Sequence, residues 1–429
     1  MNSQRIPRRR ALGLMAAAGA AAVGSLISRP AWLCAQAPAV RRKVKLTFWT
    51  FADNPVHQKM IADAVEVFNK AQSFITVEVD ATANSIEIRN KIVVAFAAGS
   101  GPDLGGTQQT FVEDYYDNGV LHPVEEFFRK WEARDDYFPY ALNAMRSKPS
   151  QPTLWMPNAI LPYILYYRAD WFQEAKLNPP VTYDEFIEAA RKLSKPPERY
   201  GYALRGGDYN GVQVIEPIWG SAGVKFVDES GKVDLDSPEA ITVTEKWVGM
   251  FTKDKSAPPT AVSDRYPQNF ALMEGNKVAM WIYGTQAHPP LDAALGSRIQ
   301  AGPPPRAKDK LCTLANPEGL MMLTSCKEKE AAWEFLVHMS SGQPARTFTQ
   351  VRGLLPVRKS IAAEPVFQQN RFFRLGVGLS SSWWMPPYSH KHWANYRDKI
   401  APYFQQALRQ EISAKDFHVQ AATALRGDA

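Results

Sequence analysis

Residues 43–68 read KVKLTFWTFADNPVHQKMIADAVEVF, and the change of hydrophobic period inside this stretch decides the fold. Val44, Leu46 and Phe48 alternate with Lys45, Thr47 and Trp49, the period of two that marks a strand with one apolar face. Asn54 then has a side chain suited to capping and Pro55 suits the first helical position. After them Met60, Ile61, Ala64, Val65 and Phe68 recur at helical spacing. A strand that passes at once into a helix opens an α/β unit, and the unit repeats. Ile75, Val77 and Val79 alternate, Asn84 and Glu87 form a capping box, and the helix they open buries Ile88, Ile92 and Phe96 before stopping at Gly99. A short segment at 102–104, a polar loop and a helix ending at Gly119 complete the series. Such alternation favours a parallel sheet covered by helices.

A second series follows the Pro-punctuated stretch 155–162. Residues 164–167 read as a strand and 169–176 as a helix, and Thr182 with Glu185 caps a helix through Phe186, Ile187, Ala190 and Leu193. A strand resumes at 200–204. Ser237-Pro238 opens a helix with Ile241, Thr244, Trp247, Val248 and Phe251 at helical spacing. Residues 278–283 alternate Val278, Met280 and Ile282 with Ala279, Trp281 and Tyr283, a strand expected to keep one face out of the core. Beyond a second Pro-rich break at 302–305, residues 311–324 read as strands, and a helix then buries Ala331, Ala332, Phe335, Leu336 and Met339. Two α/β series and two breaks predict two lobes.

Composition narrows the function. The 429 residues are 45% hydrophobic, enough to build cores, and the net charge is +7. Arginines within residues 1–37 supply five of those charges, which leaves +2 for the rest and no concentrated basic face for a nucleic acid. Twelve tryptophans exceed what packed cores usually need.

Residues 1–37 run from a basic start through an uncharged apolar stretch at 11–27 to Ala35-Gln36-Ala37, the layout of a secretory signal. The stretch is shorter and less apolar than a membrane span. Arg8-Arg9-Arg10-Ala11-Leu12-Gly13-Leu14 resembles the twin-arginine signal, so a periplasmic product is expected, with Cys34 lost on cleavage. Cys312 and Cys326 then remain. Either they close a loop of about 15 residues, worth ~3 kcal/mol, or they are two buried thiols.

The usual catalytic signatures are missing: there is no G-x-S-x-G elbow, H-E-x-x-H pair or Walker loop. His390 and His392 form the one close histidine pair, and a metal site there would need acids or sulfur nearby in the fold, so neither metal nor cofactor is expected. Gly99-Ser100-Gly101 lacks the third glycine of a phosphate-cradling loop, Leu104 standing in its place. Tyr115-Tyr116 and Tyr166-Tyr167 are phenolic pairs of the kind a ferric-ion carrier uses, and a glycoside hydrolase, which needs two carboxylates across a cleft, stands as the enzyme alternative.

Five segments carry a family resemblance. Ala97-Ala98-Gly99-Ser100-Gly101-Pro102-Asp103 is similar to an A-x-G-x-x-P-D segment, and Leu165-Tyr166-Tyr167-Arg168-Ala169-Asp170-Trp171-Phe172 to L-Y-Y-N-K-D-L-F. Residues 180–186 are similar to P-x-T-W-D-E-F, 270–280 to F-x-x-G-K-A-A-M, and Gly353-Leu354-Leu355-Pro356-Val357-Arg358 to G-x-L-P-V-R. In this order, behind an export signal, they resemble the extracellular solute-binding proteins of ABC importers, the sugar-binding group that includes maltodextrin- and glycerol-phosphate-binding proteins. The resemblance implies two α/β lobes, each a sheet flanked by helices, with ligand between them and closure by hinge bending. Three crossings would fall near 158–162, 300–305 and 352–359, making one lobe of 43–158 with 303–355 and the other of 162–300 with 359–429. It also implies a monomer that binds a mono- or oligosaccharide for an inner-membrane ABC permease and catalyses nothing. A glycerophosphodiester, a polyamine and ferric ion stand as alternative cargoes.

Sugar rings lay their C–H faces on aromatic rings and pair their hydroxyls with polar side chains. The candidate ligand-binding residues are accordingly Trp49 at the end of the first strand, Asp53 just beyond it, and Gln108 and Gln109 after the third strand. Asp53 and the glutamines have helix capping as their rival role. In the second lobe they are Trp219, whose rival role is core packing, and Trp281 and Tyr283 on the outer face of their strand. Arg352 would suit a phosphorylated ligand. Trp383 and Trp384, beside Ser380, Ser381 and Ser382, are expected as exposed rings in a loop.

Overall fold

The computed structural model describes residue 40 and residues 42–52, 54–228 and 230–428; the expected export signal at 1–37, with Cys34, and Asp53 lie outside the described residues. β1 (Val44–Phe51) buries Val44, Leu46 and Phe48 as its alternation requires. It leads into α1 (Pro55–Ala71), whose first turn is capped where the His57 backbone N–H donates to Asn54 Oδ1 at 3.0 Å. β2 (Ile75–Ala83), α2 (Ser85–Ala97) with the Asn84–Glu87 capping box, β3 (Leu104–Gln108) and α3 (Gln109–Asp117) complete the first series, followed by the short β4 (Leu121–His122).

β5 (Met156–Arg168) runs straight through the stretch whose prolines suggested a break. Proline has no N–H to give a ladder and is tolerated where the ladder is already interrupted. Pro157 sits at a register shift against the partner strand, and Pro162 is the last residue facing that strand before Tyr163 begins pairing with another. The chain continues through α4 (Tyr183–Leu193), opened by the Thr182–Glu185 capping box, β6 (Tyr200–Tyr202), α5 (Tyr209–Ala222) and α6 (Pro238–Thr252). Then come β7 (Val278–Gly284), β8 (Ile299–Gly302), β9 (Thr313–Leu323), α7 (Lys329–Met339) and α8 (Gly342–Arg352). The two-residue strands β10 (Leu355–Pro356) and β11 (Trp383–Trp384) precede α9 (Trp393–Leu408) and α10 (Ala414–Arg426).

The strands among the described residues join in the order β2-β1-β3-β9-β5-β7-β6, with β4 and β11 beside β9, and β8 and β10 beside β5. β1 is parallel to β2 and β3, while β9 is antiparallel to β3 and β5. β5 faces β9 from Met156 to Pro162 and β7 from Tyr163 to Tyr167, so one unbroken strand serves both ends of the sheet. Each end has its own core. Leu46, Phe48, Ile61, Val77 and Leu336 pack in the first, and Phe186, Tyr202, Trp219, Trp247, Phe404 and Phe417 in the second. This is a two-lobed α/β fold in which helices flank both parts of the sheet.

The expectation for β7 changes. β7 has no outer face, because Ala279, Met280 and Ile282 enter one apolar cluster while Val278, Trp281 and Tyr283 enter another, and all seven residues are buried. Helices cover the strand on both sides, so alternation along it separates two cores rather than core from water. Cys312 and Cys326 are both buried and unbridged, and burial pushes both thiols up, Cys326 to about 12. The segment after β8 also lies on the second lobe: Tyr183 N–H donates to Arg306 O at 2.9 Å, and Ser221 Oγ to Lys310 O at 2.6 Å.

Candidate functional site

β3 ends at Gln108 and passes without a loop into α3, which sets Gln108, Thr110 and Phe111 at the carboxyl edge of the parallel strands, where ligands of open α/β sheets bind. The first turns of α2 bring Arg89 and Asn90 beside them. From the other lobe, the start of α5 presents Tyr209, Asn210 and Gln213, and α9 adds Arg397 and Asp398. Between these two walls lies a cavity of about 300 Å³. That volume matches small-ligand pockets.

Its chemistry is mostly neutral. The amides of Asn90, Gln108, Asn210 and Gln213 can each donate and accept, as a hydroxyl-rich ligand requires, while Phe111 and Tyr209 add aromatic surface. Several of these groups are held from behind. Gln108 Nε2 donates to Glu318 Oε1 at 2.8 Å, and Glu318 in turn is 2.9 Å from the buried Arg352 guanidinium. Gln213 accepts from Tyr163 OH at 3.4 Å and donates to Tyr388 OH at 3.1 Å. The hydroxyls of Tyr209 and Tyr396 donate to the Glu216 carboxyl at 3.3 and 2.9 Å. Burial nevertheless pushes that carboxyl up to about 8. Across the cleft, Arg397 Nη1 donates to Asp114 Oδ2 at 2.6 Å, and Arg89 Nη2 lies 3.5 Å from the same oxygen. Among the described residues, no group of three or more His, Cys, Asp and Glu could hold a metal ion.

Of the residues expected from sequence, Gln108 lines the cavity. Gln109, one residue on, is buried. Trp49 is half-buried at the end of β1, with Lys91 Nζ 4.0 Å above its ring, and Asp53 lies outside the described residues. Trp219 has no exposed surface; its Nε1 donates to Thr244 Oγ1 at 3.0 Å and its ring meets His418 at 4.9 Å, inside the second core. Trp281 and Tyr283 stack 4.5 Å apart and are buried, with the Arg205 guanidinium 5.7 Å from the Tyr283 ring. Arg352 is buried in its ion pair with Glu318.

Trp383 and Trp384 stand in β11 instead of an exposed loop, paired with Thr313 and Leu314 of β9. Both are half-buried. Trp383 meets Tyr140 edge-on at 4.6 Å and Trp384 meets Phe226 at 5.4 Å, so aromatic neighbours from elsewhere in the chain cover what the local sequence left open.

Sequence reasoning missed Tyr209, Asn210, Gln213 and Arg397. A weak signal existed in α5, where Tyr209, Gln213 and Glu216 share one face of an otherwise apolar helix. Arg397 gave none, because Asp114 is 283 positions away.

Residues 53–343 match the model of the bacterial extracellular solute-binding protein family. The chain is 23% identical over 341 residues to the maltotriose-binding protein of Pyrococcus abyssi, covering 76% of this chain and 71% of that one. It is 31% identical over 124 residues to the mannitol-binding protein of Pseudomonas aeruginosa, 28% of each chain. Among solved structures, an ABC transporter solute-binding protein of Thermotoga lettingae, bound with α-D-tagatose, matches with a TM-score of 0.81 at 21% identity, over 90% of this chain and 99% of that one. At that identity the likeness shows the fold.

Proposed function

The chain belongs to the bacterial extracellular solute-binding protein family, and from that premise we propose that it captures a carbohydrate between its lobes for an ABC transporter and releases it unchanged. The observation that carries this reading is the cavity between the lobes, walled by four side-chain amides and two aromatic rings. Those groups suit the hydroxyls and C–H faces of a mono- or short oligosaccharide. Maltotriose- and mannitol-binding relatives point the same way. A hydrolase would need two carboxyls aimed across the cleft. Here Asp114 and Asp398 are both tied to Arg397, and Glu216 is buried behind Tyr209 and Tyr396.

The rest of the reading follows from the leader and the family. The protein is exported by the twin-arginine route to the periplasm, works as a monomer and docks on an inner-membrane permease. One lobe comprises 43–158 with 303–355 and the other 162–300 with 359–429, and the contacts of Arg306 and Lys310 favour counting 303–311 with the second. Trp49, Asp53, Gln108 and the Trp383-Trp384 pair serve ligand binding. Replacing Trp383 and Trp384 together by Ala should weaken ligand binding much more than it lowers the melting temperature; equal losses would make them structural.

The deciding experiment is a thermal-shift screen against mono- and oligosaccharides, polyols, glycerol phosphates, polyamines and ferric citrate. Ligand at a hundred times its Kd adds about 2.7 kcal/mol of stability, a shift that is easily seen. Stabilisation by one sugar class, with the sugar recovered intact, supports the proposal. A response to a phosphate, amine or iron alone would overturn the ligand class, and conversion of the added sugar would overturn the binding-protein reading.

A further inference from the structure

Arg397 projects from α9, whose Tyr396, Ile400 and Phe404 pack into the second-lobe core. Its partner Asp114 lies on α3 between Phe111 and Tyr115, which pack in the first lobe. The guanidinium therefore spans the cleft. Nη1 donates to Asp114 Oδ2 at 2.6 Å and to Thr110 O at 3.4 Å, Nε donates to Asp398 Oδ1 at 3.0 Å, and the Phe111 ring lies 5.2 Å from the guanidinium carbon. The side chain is only 5% exposed. Yet Nη2 finds no hydrogen-bond partner among the described residues, and neither does the hydroxyl of Thr110, although both residues line the cavity.

We propose that Arg397 couples occupancy of the cleft to its closure, holding α3 with one edge of its guanidinium while its other edge binds an acceptor oxygen of the ligand. This rests on the cleft being the ligand site. Arginine carries donors only, so the group that Nη2 takes must accept: a sugar hydroxyl, a ring oxygen or a carboxylate. A buried donor left unmade is unfavourable, so the Arg397–Asp114 pair by itself holds the lobes together only in part, both charges regaining water when the cleft opens. A ligand oxygen on Nη2 relieves that penalty only while the lobes are together, so it shifts the equilibrium towards the closed form. Arg89, close to the same carboxylate, leaves Asp114 between two cations and makes the closed arrangement depend on its charge.

The test compares wild type with Arg397→Gln, Arg397→Lys and Asp114→Asn, each checked for an unchanged far-UV circular dichroism spectrum. Binding of maltotriose, mannitol and tagatose is measured by calorimetry, and lobe closure by small-angle scattering. For whichever probe wild type binds, all three variants should lose about tenfold in affinity. The compaction that wild type shows on binding should be reduced in each. Lysine keeps the charge without the second nitrogen, so its loss separates the two-edged role from simple attraction. Unchanged affinity and compaction in Arg397→Gln would overturn the proposal. If no probe binds wild type, the carbohydrate reading is decided by the thermal-shift screen, and the clasp by scattering without ligand. Raising salt from about 0.02 to about 0.5 M should then expand wild type and leave Arg397→Gln and Asp114→Asn, already expanded, unaffected. Identical scattering of all proteins at both salts would sink the clasp. If Arg397→Gln fails the spectral check, Asp114→Asn decides in its place, by the same losses or their absence.

Discussion

Glu216 shows how much a single side chain's setting matters. It lies within α5 with no exposed surface, and burial lifts its carboxyl from an ordinary value of 4.5 to about 8 even though two tyrosine hydroxyls donate to it. Between those two values the folded protein holds a proton that the unfolded chain has released, so this group lowers stability as pH rises from about 4.5 to 8. Glu216→Gln keeps the shape and removes the titration. It should raise stability by several kcal/mol at pH 9 and leave it nearly unchanged at pH 4.5, read as melting temperatures; the same difference at both would contradict the assignment. His418 works in the opposite direction. Packed on Trp219 and bonded to Thr244 Oγ1 at 2.8 Å, it is held down to about 4 by burial, so its contribution is present above pH 6.5 and is lost as pH falls through 4.

The seam of β5 and β9 is the element on which both lobes depend. At Gly319 of β9 a Cβ would lie 2.1 Å from Met156 O of β5, a backbone atom that cannot yield without parting the strands. At Gly249 of α6 a Cβ would meet nothing within 4 Å. Gly319→Ala is therefore expected to lower the melting temperature severely or abolish folding, whereas Gly249→Ala should stabilise by about 0.5–1 kcal/mol through helix propensity. Equal effects in thermal denaturation would mean that the seam tolerates separation. The same seam explains why prolines misled the reading of β5. Their meaning depends on which backbone groups the neighbouring strands leave unpaired, and that is settled only when β9 and β7 arrive.

For the molecule as a whole, export and closure are the properties to test. Arg9→Lys combined with Arg10→Lys should block export if the twin-arginine route is used, because that signal is read through its arginine pair; the periplasmic fraction of tagged protein measures it, and undiminished export would refute the route. Among the described residues no helix is long and apolar enough to cross a membrane. The Arg397–Asp114 ion pair joins the lobes at the cleft, so ligand binding should vary with salt more than folding does, since the two cores are apolar and unscreened.

Local chemistry was legible in the sequence wherever partners lie within a few residues. Asn54 and Pro55 open α1, the capping boxes at Asn84 and Thr182 open α2 and α4, and the alternation of Val44, Leu46 and Phe48 marks β1, because each of these signals is completed inside one turn or one strand. Strand-helix alternation in two series carried the two-lobed α/β architecture, and the ordered family segments carried the family. The site was legible only in part. Gln108 follows from the end of a parallel strand, but whether an aromatic ring faces ligand or core is decided by what packs over it. Trp219 and Trp281 have the composition of binding residues and the burial of core residues. Tertiary structure alone brought Arg397 to Asp114, covered both faces of β7, drew Trp383 and Trp384 onto β9, and left Cys312 and Cys326 unbridged. Those outcomes rest on contacts between residues far apart in sequence, which no local pattern encodes.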